Sequence, residues 1–112
     1  MSKIPSISTH VLNIAEGKPG VNIPVSLEYL ENDFIMVAQG VTNEDGRVGE
    51  WLSELKTGTY RIRFEIKQYF ADRDEQCFYP YVEIVFTVSD TQSHYHVPLL
   101  LSPYGYSTYR GS

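Results

Sequence analysis

Residues 59–67 alternate without a break: Tyr60, Ile62, Phe64 and Ile66 are apolar, while Thr59, Arg61, Arg63, Glu65 and Lys67 around them are polar. Side chains at every second position leave the same side of an extended chain, whereas a helix would spread them around its axis. The segment is therefore read as a half-buried β-strand. A second alternation sets Val82, Ile84, Phe86 and Val88 against Tyr81, Glu83, Val85 and Thr87, a mixed outer side that suits contact with another chain. Further β-rich runs occupy residues 6–14, 22–31, 33–41, 93–101 and 104–110, each bounded by Gly, Pro, Asn or Asp. Seven or eight strands are expected in all. A chain of 112 residues has room for one core, so 1–112 is read as a single domain.

Turn chemistry points to antiparallel neighbours. Gly17-Lys18-Pro19-Gly20 breaks the chain after the first strand, and Asn43-Glu44-Asp45-Gly46 predicts a tight turn before a short segment at Arg47 and Val48. Only residues 68–77 have a helical pattern, with Tyr69, Phe70 and Cys77 on the apolar side of a span too short to stand alone. These features predict an all-β sandwich with one short helix. Near the end, a turn centred on Ser102-Pro103 would set His96 opposite Tyr109, Pro98 opposite Ser107 and Leu100 opposite Gly105. Gly and Ser among aromatic neighbours suit close contact with a ligand or a subunit, and an ordinary sheet edge is the plainer alternative.

Charge narrows the partners. Nine Lys and Arg against fourteen Asp and Glu leave a net charge of −5, which repels nucleic-acid phosphates and anionic lipid. No nucleic-acid or membrane partner is expected. The single cysteine, Cys77, cannot form an internal disulfide or a zinc-finger ligand set. Met1-Ser2-Lys3-Ile4-Pro5 lacks the apolar stretch of a signal peptide, and Arg110-Gly111-Ser112 is not a peroxisomal address, so a cytoplasmic protein is expected.

The residues able to do chemistry are few. His94 and His96, two apart, share one strand face but have no clear third protein ligand, so neither a metal nor another cofactor is expected. His10 shares its face with Ser8 and Leu12, and serves equally as a hydrogen-bonded strand histidine or as a general base. Arg47, just after the Asp45-Gly46 turn, is either a solvated charge or an anion-binding group. Arg110 is too near the end to be a core-packing residue, and otherwise is a loose terminal charge. There is no Gly-x-Ser-x-Gly elbow and no phosphate loop, so covalent catalysis is not indicated.

Three stretches carry a family resemblance: Ile7-Ser8-Thr9-His10-Val11-Leu12 with Gly17-Lys18-Pro19, then Thr42-Asn43-Glu44-Asp45-Gly46-Arg47, and finally His94 to Ser112, which closes on Tyr109-Arg110-Gly111-Ser112. Through them the chain resembles, over essentially its whole length, the transthyretin-related family in its hydrolase branch. The closing tetrapeptide is the most specific landmark, because it separates the hydrolases from transthyretin proper. The resemblance implies a transthyretin-like (prealbumin-like) eight-stranded antiparallel β-sandwich with one short helix, assembled as a homotetramer, a dimer of dimers, around a channel. His10, His96, Pro98, Ser107 and Tyr109 would line that channel.

The implied activity is hydrolysis of the purine-derived ring of 5-hydroxyisourate. The implied catalytic set is His10, Arg47, His96 and Ser112, with Arg47, Ser107, Tyr109, Arg110 and Gly111 binding substrate; Arg110 either holds the terminal segment or contacts substrate. Asn13 stands where these hydrolases usually have Asp, on the face opposite His10, so a structural consequence is expected. A noncatalytic carrier of a small aromatic ligand and a protein-binding β-sandwich are the alternatives.

Overall fold

The computed structural model describes residues 6–49, 51–52 and 54–111. Strands run in the order β1 (Ile7–Asn13), β2 (Lys18–Pro19), β3 (Pro24–Leu30), β4 (Phe34–Val41), β5 (Arg47–Val48) and β6 (Gly58–Phe64). After helix α1 (Lys67–Ala71) come β7 (Val82–Val88), β8 (Tyr95–Ser102) and β9 (Gly105–Thr108). They form two sheets, β2-β1-β8-β9 with β5 also on β1, and β4-β3-β6-β7. The expected sandwich is present, and its inner faces hold Ile7, Val11, Leu99 and Leu101 from one sheet and Leu27, Ile62, Phe64 and Val82 from the other, all at most 1% exposed.

Three details differ from the sequence reading. The β1 and β8 ladder is parallel, from Ile7 opposite Tyr95 to Asn13 opposite Leu101. Parallel neighbours need a long crossover, and here the whole second sheet and the helix lie between them in the chain. Lys18 and Pro19, read as turn residues, form a short strand against Leu12 and Asn13. Gly17, with φ of 69°, makes the tight reversal between them. The helix stops at Ala71 instead of reaching residue 77, and Asp74 just beyond it takes a left-handed φ of 55°. Tyr69 and Phe70 are its buried side, as expected, but Cys77 lies past its end with Sγ 3.2 Å from the Tyr79 carbonyl. With no side chain capping its start, burial of those two rings holds the helix.

Asn13 faces the core and is 1% exposed. Its Nδ2 donates to the Tyr69 hydroxyl at 3.0 Å and its Oδ1 accepts from the Glu16 amide at 3.1 Å, tying β1 to the helix and to the following turn. No helix among the described residues is long and apolar enough to cross a membrane.

Candidate active site

The site begins with parity on β1. Ile7, Thr9, Val11 and Asn13 are buried against the second sheet, so Ser8, His10 and Leu12 take the outer face. The parallel register sets Ser8 beside His96 and His10 beside Pro98, which puts His96 on that same outer face. The imidazole centroids of His10 and His96 are 6.4 Å apart. These two histidines, 86 positions apart in the chain, are neighbours only because β1 and β8 pair.

Arg47 is delivered by its turn. Asn43 Oδ1 accepts from the Asp45 and Arg47 amides at 2.9 and 3.0 Å, closing the loop. Gly46 has φ of 75°, and a Cβ there would sit 2.4 Å from the Val11 carbonyl oxygen, so only glycine allows the turn to lie on β1. The Val11 amide donates to the Gly46 carbonyl at 2.7 Å, and Arg47 comes opposite His10. Burial, followed by the positive charge of Arg47, pulls the His10 imidazole below its ordinary pKa; a hydrogen bond to the Asp45 backbone and the Asp45 carboxylate push the other way without cancelling this. His10 is therefore neutral at pH 7 and able to accept a proton.

The terminal strand pairs differently from expectation. Leu100 faces Ser107, Leu101 faces Tyr106 and Ser102 faces Gly105, so the turn is Pro103-Tyr104 and not Ser102-Pro103. The slip moves each partner by two residues, which preserves the faces: Ser107 and Gly111 remain on the histidine side, whereas Tyr109 borders a cavity with Phe86, Tyr95 and Val97. It also brings Gly111, not Tyr109, opposite His96, with the Gly111 amide donating to the His96 carbonyl at 2.8 Å. A Cβ at Gly111 would lie 2.6 Å from His96 Cδ2, so the backbone packs on the ring edge.

Arg110 has the opposite parity. Its guanidinium lies 4.3 Å from the Tyr95 ring centroid and reaches the His94 carbonyl at 3.5 Å, away from the histidine face. Within one chain it braces the terminal segment. Ser112 lies outside the described residues. Ser8, noted in the sequence only as a neighbour of His10, bonds both other histidines: its Oγ is 2.8 Å from His96 Nδ1 and 2.8 Å from His94 Nε2. Its parity with His10 was visible in the sequence, but its place beside His96 depends on the parallel register. Among the described residues, no three His, Cys, Asp or Glu side chains converge as a metal site requires.

The assembled face presents a neutral imidazole, a second imidazole fixed by a hydroxyl, and a cation beside them. Residues 7–111 match the HIUase/Transthyretin family model. The chain belongs to that family. A 5-hydroxyisourate hydrolase of Deinococcus radiodurans is 44% identical, with all of both chains covered. Among solved structures, 5-hydroxyisourate hydrolase of Klebsiella pneumoniae is 35% identical with a TM-score of 0.84, covering 96% of this chain and 99% of that one. Sea bream transthyretin, in complex with thyroxine, is 25% identical with a TM-score of 0.89, covering 94% of this chain and 93% of that one. The family backbone thus fits both kinds of member, so the fold alone does not say which activity this chain has.

Proposed function

We propose that this chain hydrolyses 5-hydroxyisourate, opening its six-membered ring to 2-oxo-4-hydroxy-4-carboxy-5-ureidoimidazoline. The observation that carries the reading is the β1 register, which sets His10 against Arg47 on one side and Ser8 against His96 on the other. Identity to named hydrolases over the full chain supports it independently.

His10 and His96 form the acid/base and water-positioning pair. A neutral imidazole takes a proton from water as the oxygen attacks the ring carbonyl next to the hydroxylated carbon. Arg47 faces the carbonyl oxygen and favours the charge that develops there. The carbon–nitrogen bond then breaks, the imidazolium returns its proton to the departing nitrogen, and the new carboxyl group ionises. Ser107, Tyr109 and Gly111 border the substrate, Arg110 holds the segment that carries them, and Ser112 is the fourth member of the proposed catalytic set. No redox cofactor or metal is required by these steps.

The face is open in a single chain: Arg47, Ser107 and Tyr109 are exposed. A homotetramer that closes one such face on another would exclude water and complete a channel, and this assembly is part of the proposal. A cytoplasmic site of action accords with the lone cysteine.

The test is to generate 5-hydroxyisourate in place with urate oxidase and follow its ultraviolet decay with and without this protein. Decay accelerated by the wild type but not by His96→Asn supports the reading. No acceleration by folded protein overturns it, and displacement of a bound aromatic ligand would then identify a carrier.

A further inference from the structure

We propose that Ser8 and His94 are positioning residues: the Ser8 hydroxyl joins the two imidazoles and couples the proton position on His96 to that on His94. The role in turnover rests on the hydrolase reading above, whereas the proton placement is a property of the free protein.

Ser8 Oγ lies 2.8 Å from His96 Nδ1 and 2.8 Å from His94 Nε2. A hydroxyl has one proton and two lone pairs, so it donates to at most one ring, and the two rings cannot both turn a bare nitrogen towards it. Two arrangements use its proton between the rings. In the first, Ser8 donates to His94 Nε2 and His96 Nδ1–H donates to Ser8; neutral His96 then has its lone pair on Nε2 and acts as a base. In the second, His94 Nε2–H donates to Ser8 and Ser8 donates to His96 Nδ1; neutral His96 then carries its proton on Nε2 and acts as an acid. The tautomer of His96 is thereby coupled to that of His94 through one rotatable hydroxyl.

The backbone makes this linkage rigid. Ser8 and His96 are direct partners in the parallel ladder, and Ser8 is half-buried in a strand. The Trp51 indole donates to the adjacent Ile7 carbonyl at 2.7 Å, and the Tyr95 amide donates to the Ser6 carbonyl at 2.8 Å, which pins both sides of the trio. A valine would suit the strand better than serine on propensity alone. The hydroxyl accounts for the polar choice, and the preceding turn brings His94 to its second lone pair or proton.

Two-bond proton–nitrogen NMR correlations of the imidazoles, read beside steady-state kinetics, test the inference. Wild-type His96 is expected to show one dominant neutral tautomer. Ser8→Ala should mix the tautomers and lower kcat about tenfold or more with KM within about twofold, and Ser8→Thr should restore both. Unchanged His96 nitrogen shifts in folded Ser8→Ala, or kcat within about twofold of wild type, would overturn it. Should Ser8→Ala not fold, His94→Gln reads the same signature: an altered His96 tautomer supports the coupling, and an unaltered one refutes it. If the wild type fails to hydrolyse 5-hydroxyisourate, the hydrolase reading falls, while the nitrogen shifts still decide the proton placement.

Discussion

The outer face of the β3-β6-β7 sheet and the outer face of the β1-β5-β8 sheet are both polar, but their charges are arranged for different ends. On the first, Arg61 is held by both carboxylate oxygens of Glu28 at 2.8 and 3.0 Å and lies 3.5 Å from Glu83. Arg63 meets Glu83 at 3.3 Å and also pairs with Glu65. The two guanidinium groups cover the Phe34 and Tyr81 rings at 4.0 and 3.7 Å. Each arginine there is neutralised by neighbouring carboxylates. On the second face, among the described residues, Arg47 makes no ion pair and sits beside an imidazole whose pKa it lowers. Both faces shift the titration of a neighbour, but on the first the arginines are paired with carboxylates, whereas Arg47, among the described residues, acts on an imidazole without such a pair.

The comparison is broken most directly at His96. His96→Asn should lower kcat on the order of 10²-fold or more in a folded protein, measured by ultraviolet decay of substrate. Arg47→Gln should lose on the order of 10²-fold through the oxyanion and change the pH profile as well. If neutral His10 is the base, the kcat/KM of wild type should fall as pH drops through a value below the ordinary imidazole pKa. Removing the Arg47 charge raises that value, so the acid limb moves to higher pH; a limb that stays in place would remove His10 as the titrating group.

Gly111→Ala tests the edge of the same face. The added carbon must displace His96 or the terminal segment, and about tenfold lower kcat with a little-changed melting temperature is expected. Asn13→Ala then resolves the comparison within a single strand, because Asn13 shares β1 with His10 but faces the core. Loss of its bond to Tyr69 should cost about 1–3 kcal/mol in denaturant titration and leave kcat unchanged.

Arg61→Gln, on the other sheet, should show the smallest effect, about 1 kcal/mol or less with full activity. Arg61 holds the Glu28 carboxyl below its usual range, so that stabilisation is present at neutral pH and is lost as pH falls through the lowered value. The difference between variant and wild type should therefore close in acid. A loss of turnover in Arg61→Gln would erase the distinction between the two faces.

How far the sequence could be read follows the range of the forces involved. The alternation at Tyr60, Ile62 and Phe64 marked β6 because side-chain direction in a strand is a local property. The strand ends at Phe64, however, and of Ile66 and Lys67, read as its continuation, the first takes the N-cap position of α1 and the second begins it. The Asn43 to Gly46 turn was equally local, being closed by its own Asn43 side chain. The two-residue slip at the Pro103-Tyr104 turn was not legible, since either turn preserves the faces and the contacts that distinguish them, such as Gly111 on His96 and the Phe78 amide on the Pro103 carbonyl, are tertiary. The length of α1 was misread for a related reason: apolar Cys77 fits a helical pattern, while Asp74 turns the backbone away before reaching it.

The sequence by itself determined an all-β sandwich, the buried and outer sides of its main strands, and the presence of His10, Arg47 and His96 in recognisable motifs. Tertiary structure alone decided that these three meet. Parity puts His10 and His96 each on a definite side of its own strand, but no local interaction states that β1 runs parallel to β8 in the register of Ser8 with His96. That pairing is settled by burial of Ile7, Val11, Leu99 and Leu101 against the opposite sheet, a condition that the whole chain must satisfy at once.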